Sequence, residues 1–151
     1  MVETFDFRTV HSVDICASPP VVFDYLTNPH SWPEWLSSSH VIEGPARPLR
    51  EGDTFSEEWG SKRKSTLRWT VTACDRPLSW AAETTTDALG PIIIHYAFEQ
   101  KGNLTRFTRT AHNPARPQPV NEELARRIDS DAIVALANIK SNLEKRRPSI
   151  D

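Results

Sequence analysis

Glycine is scarce in this chain, with five in 151 residues. That leaves little room for a glycine-rich loop, whose backbone must approach a phosphate closely. Cysteine is scarcer. Cys16 and Cys74 lie far apart and fit no metal-ligand spacing, so they read as small core hydrophobes in a reduced chain. The histidines His11, His30, His40, His95 and His112 show no paired spacing such as H-x-x-x-H, and neither a metal nor a cofactor is predicted. No serine stands in a G-x-S-x-G elbow. No run approaches the ~18 apolar residues of a membrane span. The stretch from Met1 to Ile15 has no basic n-region and no apolar h-region, so it does not read as a signal peptide, and the expected location is cytoplasmic. An excess of one charge is also lacking. Lysine and arginine total 18, aspartate and glutamate 20, for a net charge of −2. Such a balance speaks against a nucleic-acid partner, and the basic clusters Lys62-Arg63-Lys64 and Arg126-Arg127 are too short to signal one.

What is present is a chain long enough for one domain, 1–151, with a core that needs no staples. The longest regular pattern runs from Asn121 to Arg146. Leu124, Ile128, Ala132, Ala135, Ile139 and Leu143 recur in steps of four and three, a single helical stripe with Leu136 at its edge. Asn121 suits the N-cap, Glu122 and Glu123 the positive end of the dipole, and Lys145, Arg146 and Arg147 the negative end before Pro148. Upstream, the pattern has period two. Phe5 to Cys16 reads as a strand. Ser18-Pro19-Pro20 starts a short helix, and Ser31-Trp32-Pro33-Glu34 has the spacing of a capping box that starts a second. Further strands follow at Ser39–Glu43 and Asp53–Trp59. Others contain Leu67, Trp69, Val71 and Ala73, then Leu78, Trp80, Ala82 and Thr84, then Ile92, Ile94, Tyr96 and Phe98. The last predicted strand spans Leu104 to about His112. Asn113 to Pro119, with three prolines, reads as a connector that is neither strand nor helix. Strands in succession and then one long helix predict an α+β layout.

Four stretches carry a likeness. ASPPVVFDYLTNPHSWPEW, GDTF, DRPLSW and YAFEQKGNLTRFTRT together resemble the START-like superfamily, within it the polyketide cyclase/dehydrase branch. The resemblance covers nearly the whole chain and rests on packing and turn patterns, not on a catalytic signature. It implies a helix-grip fold: a curved antiparallel sheet of about seven strands wrapped round the C-terminal helix, with two short helices after the first strand and an internal cavity. It also implies a small apolar partner, lipid-like or polyketide-like.

Alternation supplies the candidate site. Glu57 shares a face with Phe55 and Trp59, so it is expected inside, where a carboxylate must be paired, hydrogen-bonded or protonated. Arg109 shares a face with Phe107 and Ala111 and would hold a carbonyl or anionic group, or pair with Glu57. These two are the catalytic candidates if the protein is an enzyme. Trp59, Trp69, Trp80, Tyr96, Phe98 and Phe107 make one concave aromatic face. On the helix, Asp131 sits at the rim, and small Ala135 is placed where a roof over a ligand would be. Ile133 and Val134 lie off the stripe and leave a homodimer open. Two functions remain in play: a binding domain for an apolar molecule, and an enzyme of the cyclase or dehydratase type.

Overall fold

The computed structural model describes residues 3–145. Strand β1 (Phe5–Ile15) leads into helix α1 (Pro19–Thr27), a 3₁₀ turn at Pro29–Ser31, and the single-turn helix α2 (Trp32–Trp35). Strands β2 (Ser39–Glu43), β3 (Thr54–Trp59), β4 (Ser65–Asp75), β5 (Ser79–Thr86), β6 (Gly90–Lys101) and β7 (Leu104–Arg116) follow, then helix α3 (Glu122–Lys145). All seven strands form one antiparallel sheet in the order β1-β7-β6-β5-β4-β3-β2. Only β1 leaves sequence order. It closes on β7 at the far edge, so α1 and α2 return beneath the sheet while α3 lies along β1 and α2.

Helix α3 is the element the periodicity predicts. Asn121 caps it, its Oδ1 accepting from the Leu124 N–H at 2.8 Å. Ala132, Ala135, Leu136, Ile139 and Leu143 are buried. Leu136, placed by the pattern at the edge, is fully inside, and burying a side chain of that size contributes about 1.5–3 kcal/mol. Leu124 and Ile128 are only half-buried. The expected stop at Arg146, Arg147 and Pro148 lies outside the described residues.

Three expectations are corrected. The capping box at Ser31 does not form. Ser31 turns its hydroxyl to donate to Tyr25 O at 2.7 Å, and Glu34 accepts from the Tyr25 hydroxyl at 2.9 Å. Tertiary partners thus claim both side chains of the motif. Ala73 does not share the inner face of Leu67, Trp69 and Val71. A register shift between Val71 and Ala73 in the β4–β5 ladder turns it outward. Nor does β7 end at His112. It continues to Arg116, because β1 is irregular between Phe5 and Phe7, opposite Arg116 and Asn113. Pro114 falls at that irregularity, where the ladder asks no N–H of it.

Candidate functional site

The concave face of the sheet is aromatic, as alternation predicts. Trp69, Trp80, Tyr96, Phe98 and Phe107 are all buried there, while Trp59, at the end of β3, is half-buried. Phe98 stacks on Phe107 with centroids 5.3 Å apart, and Trp80 stacks on Tyr96 at 5.2 Å. The residue the pattern does not place is Trp32. From α2 it inserts its indole among Phe55, Trp69, Trp80 and Tyr96, at centroid distances of 5.2, 6.0, 6.3 and 6.4 Å. Its Nε1–H donates to Leu26 O at 3.0 Å. Part of the concave face is therefore filled by the protein's own tryptophan. A four-residue helix has too little periodicity to signal which way its tryptophans point.

Glu57 is inside, 1% exposed. Its Oε1 accepts from Trp69 Nε1–H at 3.0 Å, and its Oε2 has no hydrogen-bond partner. Burial pushes its carboxyl above the usual carboxylate range. The neighbouring Ser39 hydroxyl, the Trp69 indole and the charges of Arg109 and His40 pull the other way without prevailing. Tyr96 is completely buried, and its phenol is pushed up to about 12 by that burial, against the opposing effect of nearby Arg109. Its hydroxyl has no hydrogen-bond partner of ordinary geometry, and neither has the buried Nε of Arg109. Tyr96 and Arg109 face each other across the β6–β7 ladder, so they share the concave face. Thr84 Oγ1 and Ser39 Oγ are likewise buried and make no hydrogen bond of ordinary geometry, Ser39 lying beside Glu57.

On the far side of Arg109, His11 of β1 is its ladder partner. The His11 Nε2 meets Asp129 Oδ1 of α3 at 2.6 Å. Asp129 carries no hydrophobic pattern signal and was not among the sequence candidates. Asp131, which was, is exposed on α3 and has no contact with the buried polar groups. Ala135 is buried in the core cluster. Ile133 and Val134 are exposed, at 59% and 58%.

One surface pocket of about 520 Å³ opens elsewhere, lined by Phe23, Pro48, Leu49, Arg50, Cys74 and the Asp24–Arg76 ion pair. None of the orphaned polar groups lines it. Cys16 and Cys74 form no disulfide with each other. Among the described residues no helix is long and apolar enough to cross a membrane.

A family model described as "Polyketide cyclase / dehydrase and lipid transport" matches residues 6–144. The chain belongs to that family. Several solved structures share the fold. The di-domain ARO/CYC StfQ of the steffimycin biosynthetic pathway superposes with a TM-score of 0.74 at 13% identity, covering 93% of this chain and 52% of that one. This family member thus spans about half of that protein. Ara h 8.0201 superposes with a TM-score of 0.71 at 10% identity, over 94% of this chain and 100% of its own. The Aha1 dimer from Colwellia psychrerythraea gives 0.70 at 18% identity, over 91% and 96%. At such identities the likeness is one of fold. A comparison with curated proteins gives no match.

Proposed function

We propose that this protein binds a small, largely apolar molecule between the concave face of its sheet and α3. In this reading Arg109, Tyr96 and Glu57 grip an oxygen function of the ligand. The supporting observation is a set of poorly satisfied polar atoms: Tyr96 OH, Arg109 Nε and Glu57 Oε2 are buried on the aromatic face without a hydrogen bond of ordinary geometry, although Arg109 lies near Tyr96 and Ser39 near Glu57. Leaving such a group unsatisfied costs about 1–3 kcal/mol, so a ligand that satisfies several of them gains both hydrogen bonds and apolar burial. Trp69, Trp80, Phe98 and Phe107 supply the apolar wall, and Ala132 and Ala135 are small buried residues on the helix side. Asp131, exposed on α3, stays a candidate for the rim of the site.

A second reading is acid–base catalysis of the cyclase or dehydratase kind. It is favoured by the raised pKa of Glu57, which holds a transferable proton above the usual carboxylate range. A protonated Glu57 would donate to a ligand oxygen, while Arg109 and Tyr96 would stabilise the developing enolate. Binding is the simpler of the two, since it requires no convergence on a single reacting atom.

The test uses anilinonaphthalene sulfonate, an aromatic fluorophore with one anionic oxygen group, together with native mass spectrometry of the purified protein. The expected results are a saturable fluorescence rise and a co-purifying small molecule. Tyr96→Phe and Arg109→Met should each weaken dye binding about tenfold, the size of one lost charge-assisted hydrogen bond. Wild-type affinity in both variants would rule the inner face out as the site.

A further inference from the structure

Helix α3 is fastened unequally along its length. Its C-terminal half is tied down by side chains at four positions. Asn138 Nδ2–H donates to Trp35 O at 3.3 Å, and Lys140 Nζ–H to Asp14 O at 2.9 Å. Asn142 Nδ2–H reaches both the Tyr25 hydroxyl, at 3.1 Å, and Glu34 O, at 3.3 Å. Glu144 Oε2 accepts from the Cys16 N–H at 2.9 Å. The same half carries Leu136, Ile139 and Leu143, all fully buried. The N-terminal half carries half-buried Leu124, Ala125 and Ile128, and its one buried apolar residue is the small Ala132 next to the middle of the helix. Among the described residues, its only hydrogen bond to the rest of the fold is His11 Nε2 to Asp129 Oδ1.

The position of that contact gives it a role. His11 stands directly across the β1–β7 ladder from Arg109, and Arg109 from Tyr96. The contact therefore joins the edge strand to the helix immediately beside the orphaned polar groups. We infer that the N-terminal half of α3 is the moving cover of the inner face, hinged on its anchored C-terminal half and latched by the His11–Asp129 contact. When the latch parts, the half-buried turns around Leu124 and Ile128 lift and expose the Arg109 side of the face. A lifted segment keeps few of its packing contacts, and a helical stretch of its length does not hold in water without them. Undocking is then accompanied by unwinding. The cover matters as a route for a ligand only if the inner face binds one, so its function rests on the reading proposed above; its movement does not.

Hydrogen exchange read by mass spectrometry on the ligand-free chain tests the movement. In the wild type, amides in 125–132 should exchange at least about tenfold faster than those in 136–143, as expected of a subglobal opening. Asp129→Ala removes the latch at an exposed position where the fold is not at risk. It should speed exchange in 125–132 about fivefold more, the effect of one lost hydrogen bond, and leave 136–143 unchanged. Asp129→Asn keeps an acceptor for the histidine N–H and should restore wild-type exchange. The sign is diagnostic, because alanine has the higher helix propensity and would slow exchange if Asp129 acted only within the helix. Equal protection of the two halves, or an Asp129→Ala variant that exchanges no faster than wild type, overturns the inference. Since no ligand is present, unequal halves in a protein that binds no dye would retain the cover and remove the binding site.

Discussion

Arg109 and Tyr96 stand opposite each other across the β6–β7 ladder, and each brings to the concave face a buried polar atom that makes no hydrogen bond of ordinary geometry among the described residues. Glu57 adds a third such atom from β3. A core selected for stability alone would replace these side chains with apolar ones of similar shape, because an unsatisfied buried group lowers stability by about 1–3 kcal/mol. Their presence is what distinguishes this face from a plain hydrophobic core.

Tyr96→Phe separates the two roles. It deletes the orphaned hydroxyl and keeps the ring that stacks on Trp80 and meets Phe107. The ligand-free variant should be as stable as the wild type or more stable by about 1 kcal/mol, since the hydroxyl that is lost makes no hydrogen bond of ordinary geometry. Urea unfolding followed by tryptophan fluorescence measures this. A clear loss of stability would mean that the hydroxyl is satisfied in solution.

Glu57→Gln addresses pH. The folded-state pKa of Glu57 is raised above its ordinary value of 4.5, chiefly by burial. The stability this group contributes is therefore complete below pH 4.5 and is lost as pH rises through its folded-state value. Glutamine keeps the acceptor for Trp69 Nε1–H and has no proton to lose. Wild type and variant should thus be matched in acid, with the variant gaining on the wild type as pH rises towards neutrality. Denaturation midpoints across that range give the comparison, and parallel curves would show that Glu57 ionises freely in the fold.

Ala135→Leu adds volume to α3 at a buried position. If ligand space lies beneath this turn, the leucine occupies it. Dye affinity should then fall by tenfold or more, with a stability change of less than about 1 kcal/mol. If the turn is tightly packed instead, overpacking should cost about 1–3 kcal/mol. Measuring binding and unfolding on the same preparation decides between them.

Trp32→Ala tests the plug. Its indole touches Phe55, Trp69, Trp80 and Tyr96 and is 2% exposed. Truncation should cost about 3–5 kcal/mol. If the variant still folds, the space it leaves is walled by rings, and dye capacity should rise. A cost below about 1 kcal/mol would contradict the packing described.

Much of this was legible in the sequence because period two and period 3.6 are direct consequences of backbone geometry. Alternation alone brings Glu57, Trp69, Trp80, Tyr96 and Phe107 inside. The stripe on α3 follows from spacing alone, and Asn121 marks its start. Periodicity fails wherever a ladder slips by one residue. Ala73 shows this, since the irregularity after Val71 reverses its face. It fails again where side chains are claimed from a distance, as with Ser31 and Glu34.

By itself, the sequence determined the α+β class, the order of elements and which side of each regular strand faces inward, because these depend on local spacing. Tertiary structure alone decided that Trp32 fills part of the concave face. It alone set Asp129 against His11 and left Arg109, Tyr96 and Glu57 with polar atoms to satisfy. Each of these depends on contacts between residues distant in the chain, set by the curvature of the sheet and the path of α3, and no local pattern encodes a distant contact.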